Sequence, residues 1–198
     1  MKKKLITWSN ATTVALALLM IVIVISPQAK AIMLQGLMKI GFFKPPVKNT
    51  EPKQRANGST NLAPGLVLRT ADGKSFDIKD QKGKVLFINF WATWCPPCIA
   101  EMPSINEMYA RYKRNRKVMI LEVDVDGNFS KSEPFMKKNN YQLPVYNMVS
   151  EPPEGFLSEA IPTTVIIDKT GVVVARHEGG ADYTDKAFYK YLDGLIDK

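Results

Sequence analysis

The chain has 198 residues, enough for one domain of ordinary size and an extra segment. With 45% apolar and 23% charged residues it is neither collagen-like, disulfide-dense nor wholly disordered. The net charge of +8 is confined to residues 1–62, which hold Lys2, Lys3, Lys4, Lys30, Lys39, Lys44, Lys48, Lys53 and Arg55 against Glu51 alone. Residues 63–198 are therefore neutral, and nucleic acid is not the partner this charge describes.

In chain order, residues 1–4 form a basic leader and residues 5–26 an apolar stretch without a single charge. Its centre, Ala11–Ile25, extended back through Leu5, Ile6 and Trp8, approaches the ~20 residues a spanning helix needs. This reads as a retained transmembrane signal-anchor with the three lysines on the cytoplasmic side. A cleaved leader is the alternative, because Ala29-Lys30-Ala31 has the small-x-small pattern. Against cleavage, Ile32, Met33, Leu34, Leu37, Met38, Ile40, Phe42 and Phe43 suit a membrane surface better than water. Residues 27–62 are thus a membrane-proximal amphipathic segment followed by a polar linker rich in Pro, Asn, Gly and Ser from residue 45.

From residue 63 to 198 strand and helix signals alternate. Leu66–Arg69 and Lys74–Ile78 flank Asp72-Gly73, a hairpin turn that requires positive φ. Val85–Trp91 is a continuous apolar run suited to a strand buried on both faces. Ile99, Met102, Ile105, Tyr109 and Tyr112 recur at helical spacing. Val118–Val123 predicts a second buried strand, Glu133–Asn139 a short helix and Pro144–Met148 a short strand. Thr163–Ile167 and Val172–Arg176 flank a second turn at Asp168–Gly171, and Ala187, Phe188, Tyr191, Leu192, Leu195 and Ile196 share one face of a last helix. This order makes an α/β domain with a mixed central sheet flanked by helices, an N-terminal hairpin and an inserted αβ unit.

The chain's two cysteines are Cys95 and Cys98, separated by Pro96 and Pro97, at the junction of the buried strand and the helix. Two-residue spacing lets both sulfurs meet on the first helical turn and close a disulfide. Unpaired N–H groups at a helix N-terminus favour a thiolate at Cys95. The prolines fit a first turn that needs no N–H from them. Cys95, at the more exposed start, is placed to attack a substrate disulfide, and Cys98, one turn inside, to resolve the mixed disulfide. A structural zinc needs four ligands, and two cysteines with the lone His177 do not supply them. A purely structural bridge over so short a loop adds little, and haem attachment wants histidine where Ile99 stands.

The run Trp91-Ala92-Thr93-Trp94-Cys95-Pro96-Pro97-Cys98 resembles the thioredoxin active-site signature. More narrowly, Cys98-Ile99-Ala100-Glu101-Met102-Pro103, Ile161-Pro162-Thr163-Thr164 and Phe135–Tyr146 resemble the membrane-anchored TlpA/ResA-like thioredoxins of bacteria. That resemblance implies a thioredoxin-like fold and an extracytoplasmic protein thiol–disulfide oxidoreductase on the bacterial inner membrane, with no cofactor beyond its own redox disulfide. It implies a reductant serving cytochrome c maturation or related assembly, recharged by a membrane thiol donor, with disulfide-containing proteins as clients. Pro162 is then cis, the Ile161 backbone pairs with an extended client, and Trp94, Pro96 and Pro97 form contact surface. Asn89 stands where plain thioredoxin has a buried aspartate, leaving Glu101, partly buried, as the acid for proton transfer with Cys98. His177 has no partner legible in the sequence. Competing readings on these residues are a thiol oxidant or isomerase, a thiol-dependent peroxidase and a Sco-type copper chaperone.

Overall fold

The computed structural model describes residues 8–39, 45, 62–157 and 160–198. The basic leader and most of the linker fall outside these. Two helices, α1 (Trp8–Ile25) and α2 (Pro27–Lys39), precede the strands β1 (Val67–Thr70), β2 (Ser75–Asp77) and β3 (Val85–Trp91). The active-site helix α3 (Pro96–Tyr112) leads to β4 (Val118–Asp124), α4 (Phe129–Lys138) and β5 (Val145–Met148). The chain then closes with β6 (Thr163–Ile167), β7 (Val173–Glu178) and α5 (Lys186–Asp197).

The seven strands form one sheet in the order β2-β1-β5-β4-β3-β6-β7. β3, β4 and β5 run parallel, joined by α3 and α4, while β1, β2, β6 and β7 pair antiparallel. The N-terminal hairpin, the αβ insertion and the mixed sheet stand where the sequence pattern places them. Gly73 and Gly171 take φ of 88° and 86° at the two tight turns, a region other residues avoid. Alternate residues of β3 serve two cores. Val85, Phe87 and Trp91 pack with α3 and α5, whereas Leu86, Ile88 and Phe90 pack with Leu66, Leu68, Ile78 and Phe156. Every residue of β3 is buried, as expected for a strand covered on both faces.

β7 runs on to Glu178, two residues beyond the sequence pattern, and two further boundaries differ for a visible reason. α4 starts one turn before Glu133, because Asn128 caps it by accepting the Ser130 N–H at 3.1 Å. Ile78 begins a 3₁₀ turn instead of ending β2, because Asp77 accepts the Lys79 N–H at 3.1 Å and turns the chain.

The N-terminal segment differs more. Among the described residues no single helix is long and apolar enough to cross a membrane; Ala11–Ile25 and Pro27–Met38 reach that standard only together, with a 90° bend between them. Nor does the expected amphipathic segment simply lie on a surface. α2 docks on α3 through Ala31, Leu34 and Met38, which pack with Ile99 and Ala100. Residues 31, 34, 35 and 38 follow the i, i+3, i+4, i+7 spacing of one helix face. Ile32, Met33 and Leu37 lie on the other side and remain exposed.

Pro103 explains where α2 binds. A proline inside a helix has no N–H to offer the carbonyl four residues earlier, here that of Ile99. The Gln35 Nε2 donates to the Ile99 oxygen at 3.4 Å, so the side chain from α2 replaces the missing helical bond. Met38 then fits against Gly180, where an added Cβ would stand 2.7 Å from its Cε and 3.1 Å from the Pro97 oxygen. Truncating Met38 to Ala is expected to remove about 2 kcal/mol of docking. Hydrogen exchange should show α2 amides opening roughly 30-fold more often, with β3 and β4 unchanged.

Candidate active site

The site is built at the C-terminal end of β3, where the chain turns into α3. Cys95 is the N-cap of α3, with extended backbone (φ −86°, ψ 108°), and Pro96 and Pro97 occupy its first turn. The Cys98 N–H donates to the Cys95 sulfur at 3.3 Å, one of the orphan donors of the helix end. Cys95 and Cys98 are joined in a disulfide, with Cα atoms 5.3 Å apart. Such a terminus stabilises negative charge, so a Cys95 thiolate released by reduction sits where the backbone favours it.

The Ile161–Pro162 peptide is cis, and the Ile161 carbonyl oxygen lies 3.6 Å from the Cys95 sulfur. Trp94 is 56% exposed, and its indole N–H donates to Asp126 at 2.9 Å, holding the ring at the rim. Trp94, Pro96, Pro97, Ile161 and Pro162 are thus brought around one disulfide by the β3–α3 turn and the segment entering β6. Cys95 is 2% exposed and Cys98 0%, the expected order, with the Ile161 carbonyl packed close to the Cys95 sulfur. One expectation about burial needs correction. Glu101 is not partly but wholly buried, because its place on α3 faces the sheet, not solvent.

Behind the disulfide lies a polar cluster that the sequence reading did not assemble. Asn89 Nδ2 donates to Glu101 Oε1 at 2.8 Å and to Thr164 Oγ1 at 3.0 Å. The Ala181 N–H donates to Glu101 Oε2 at 3.1 Å, and Thr164 shares a 2.7 Å hydrogen bond with the Tyr183 hydroxyl. Burial pushes the Glu101 carboxyl up to about 8, with the Asn89 and Ala181 donors opposing it. The group is therefore poised near neutrality, where a carboxyl can both hold and accept a proton. Asn89 was legible only as a substitution for an aspartate, and Thr164, Ala181 and Tyr183 carried no motif. Glu122, buried in β4, did leave a signal: it is the one charge inside the apolar run Val118–Val123.

Comparison with known proteins agrees with this arrangement. The model of the AhpC/TSA family matches residues 60–176. The thiol–disulfide oxidoreductase ResA of Bacillus thuringiensis subsp. konkukian is 36% identical over 131 residues, covering 66% of this chain and 74% of that protein. ResA of Geobacillus kaustophilus is 38% identical over 144 residues, covering 72% and 81% respectively. The chain belongs to the AhpC/TSA family and, within it, to the ResA-like thiol–disulfide oxidoreductases. A thiol:disulfide interchange protein of the thioredoxin family from Chlorobium tepidum, 27% identical, superposes with a TM-score of 0.58 over 71% of this chain and 99% of its own. The ResA-like chain is accordingly a protein thiol–disulfide oxidoreductase on a thioredoxin-like fold.

Glu101 links this site to stability. Its unfolded value is near 4.3 and its folded value about 8, so between these the folded state holds a proton the unfolded state has released. Stability is therefore full below about pH 4.3 and falls as pH rises toward 8, by at most about 1.4 kcal/mol per pH unit for this group. Denaturant titrations of the oxidised protein from pH 5 to 8 should show that decline. Glu101→Gln should flatten it, leaving a residual slope in which Glu122, whose carboxyl burial also raises, is opposed by His177, whose imidazole burial lowers.

Proposed function

We propose that this ResA-like protein is an extracytoplasmic reductant of protein disulfides, held at a bacterial membrane by its N-terminal helices. The observation that carries the reading is the Cys95–Cys98 pair capping α3 against the Ile161 carbonyl, with the Glu101 carboxyl, titrating at about 8, buried one turn behind. In the reduced enzyme the Cys95 thiolate attacks a client disulfide, breaking it and releasing the first client thiolate. Cys98 then gives its proton to ionised Glu101 and attacks the Cys95 sulfur, releasing the second. The client gains two electrons as the pair is oxidised to the disulfide, and Glu101 returns its proton to one departing client thiolate while solvent protonates the other. Pro96 and Pro97 place no cation between the cysteines, so the reduced form receives little thiolate stabilisation beyond the helix end. This favours a reducing couple. A client strand pairing with Ile161 beside Pro162 and resting on Trp94 fits the open rim of the site.

Recharging then falls to another thiol protein, and the N-terminal helices suggest where it resides. α1 is apolar and exposed along Val14–Ile25. α2 turns from it by 90° and offers Ile32, Met33 and Leu37 away from α3. An anchor in lipid with α2 lying in the interface, one face on the bilayer and one on the domain, uses both faces. The clients are extracytoplasmic proteins whose cysteines must be reduced before assembly, as in cytochrome c maturation.

One experiment tests both halves. Reduced Cys98→Ser protein, mixed with lipid vesicles and then insulin, should accumulate a mixed disulfide through Cys95 and float with the vesicles. An adduct that forms without Cys95 contradicts the assigned roles, and a chain that fails to float contradicts the anchor.

A further inference from the structure

Glu122 is buried, carries a charge-bearing side chain, and has no part in the chemistry above. In the parallel pairing of β3 with β4 it stands directly opposite Asn89. In-register neighbours point to the same face of a sheet. The row continues through Thr164 on β6 and His177 on β7, so a polar line crosses four strands beneath α3 and α5. On the far side Glu122 meets only Val145 of β5 in register.

The hydrogen-bond accounting along this row does not close as it stands. Asn89 spends Nδ2 on Glu101 and Thr164, while its Oδ1 has no partner among the described residues. Both Glu122 carboxyl oxygens are in the same position. An ionised carboxylate is acceptor-only and could not serve Oδ1, another acceptor; a neutral carboxyl has one O–H to give. We infer that Glu122 is a positioning residue that stays neutral and donates its O–H to Asn89 Oδ1, fixing the amide so that Nδ2 is presented to Glu101. One proton would thereby satisfy the orphan oxygen of Asn89 and one oxygen of Glu122, and buried polar groups left unpaired are costly.

The surrounding titratable groups agree with a neutral Glu122. Glu101 on α3 opposes its charge, burial acts in the same direction, and Tyr183, ahead of α5, is buried and held neutral. His177, farther along the row, hydrogen-bonds the Gly180 backbone, and burial lowers its value below the usual imidazole range. Without the Glu122 donor the Asn89 amide is free to turn its oxygen toward Glu101, which would disfavour the carboxylate there. The inference deepens the proposed role of Glu101 and rests on that reading. Glu101 ionisation can be followed directly, so the two are separable.

The test uses the full chain in detergent, with infrared titration of the protonated-carboxyl bands and, in parallel, the pH profile of insulin reduction. Glu122→Leu should raise the Glu101 midpoint by about one to two pH units, the worth of one hydrogen bond to a charged group. Glu122→Gln keeps an N–H donor and should leave the midpoint near wild type, with one protonated-carboxyl band lost. An ionised Glu122 at neutral pH in the wild type, or equal shifts in Gln and Leu variants, would overturn the inference. If the Leu variant fails to fold, the wild-type spectrum and the Gln variant decide it alone. A Glu101 midpoint that behaves as described while the pH profile of activity ignores it would instead sink the proposed role of Glu101.

Discussion

Ionising a carboxyl that has been taken out of water is costly unless donors replace the solvent, and the middle of this domain is organised around one such carboxyl. Glu101 has two donors, an amide from β3 and a backbone N–H from the segment ahead of α5. They lower the cost without cancelling it, which is why the group titrates near neutrality and not in the usual acid range. Asn89 can serve because β3 is buried on both faces and its odd-numbered side chains point under α3. Ala181 can serve because the cis Pro162 segment, β7 and the following turn bring it back over the helix. The sheet order is thus also the wiring of the site.

The second organising feature couples the N-terminal helices to that site. Pro103 interrupts α3 one turn beyond Cys98 and exposes the Ile99 carbonyl, and Gln35 of α2 answers it. Met38, on the same face of α2, fills the space that Gly180 leaves open beside Pro97. α2 is therefore keyed to the redox turn through a defect in the active-site helix. In the proposed membrane setting, the mouth of the site has a fixed orientation to the bilayer instead of swinging on a free linker.

The strand–helix junction, both hairpins, the αβ insertion and the cysteine pair were legible because each leaves a local mark: an apolar run, an Asp-Gly turn, a Cys-x-x-Cys spacing. Pro162 was legible only through its resemblance to a family segment. The docking of α2 was present in the sequence as the spacing of Ala31, Leu34, Gln35 and Met38, but periodicity reveals a face and not what covers it, so lipid was assigned to the whole segment. The depth of Glu101 was underestimated because helix position alone does not tell how closely the sheet approaches. Glu122 was passed over for a related reason. A lone charge in a buried strand acquires meaning only when register shows its neighbour to be Asn89.

The central claim is that a redox pair with no cation between its cysteines and a buried acid behind them gains too little from thiolate stabilisation to act as an oxidant. The most direct measurement is the reduction potential of the Cys95–Cys98 couple in the full chain at pH 7, by equilibration with thiol redox buffers. The account predicts a value below roughly −230 mV, toward that of thioredoxin. A value of about −120 to −180 mV, the range of oxidants and isomerases, would contradict it.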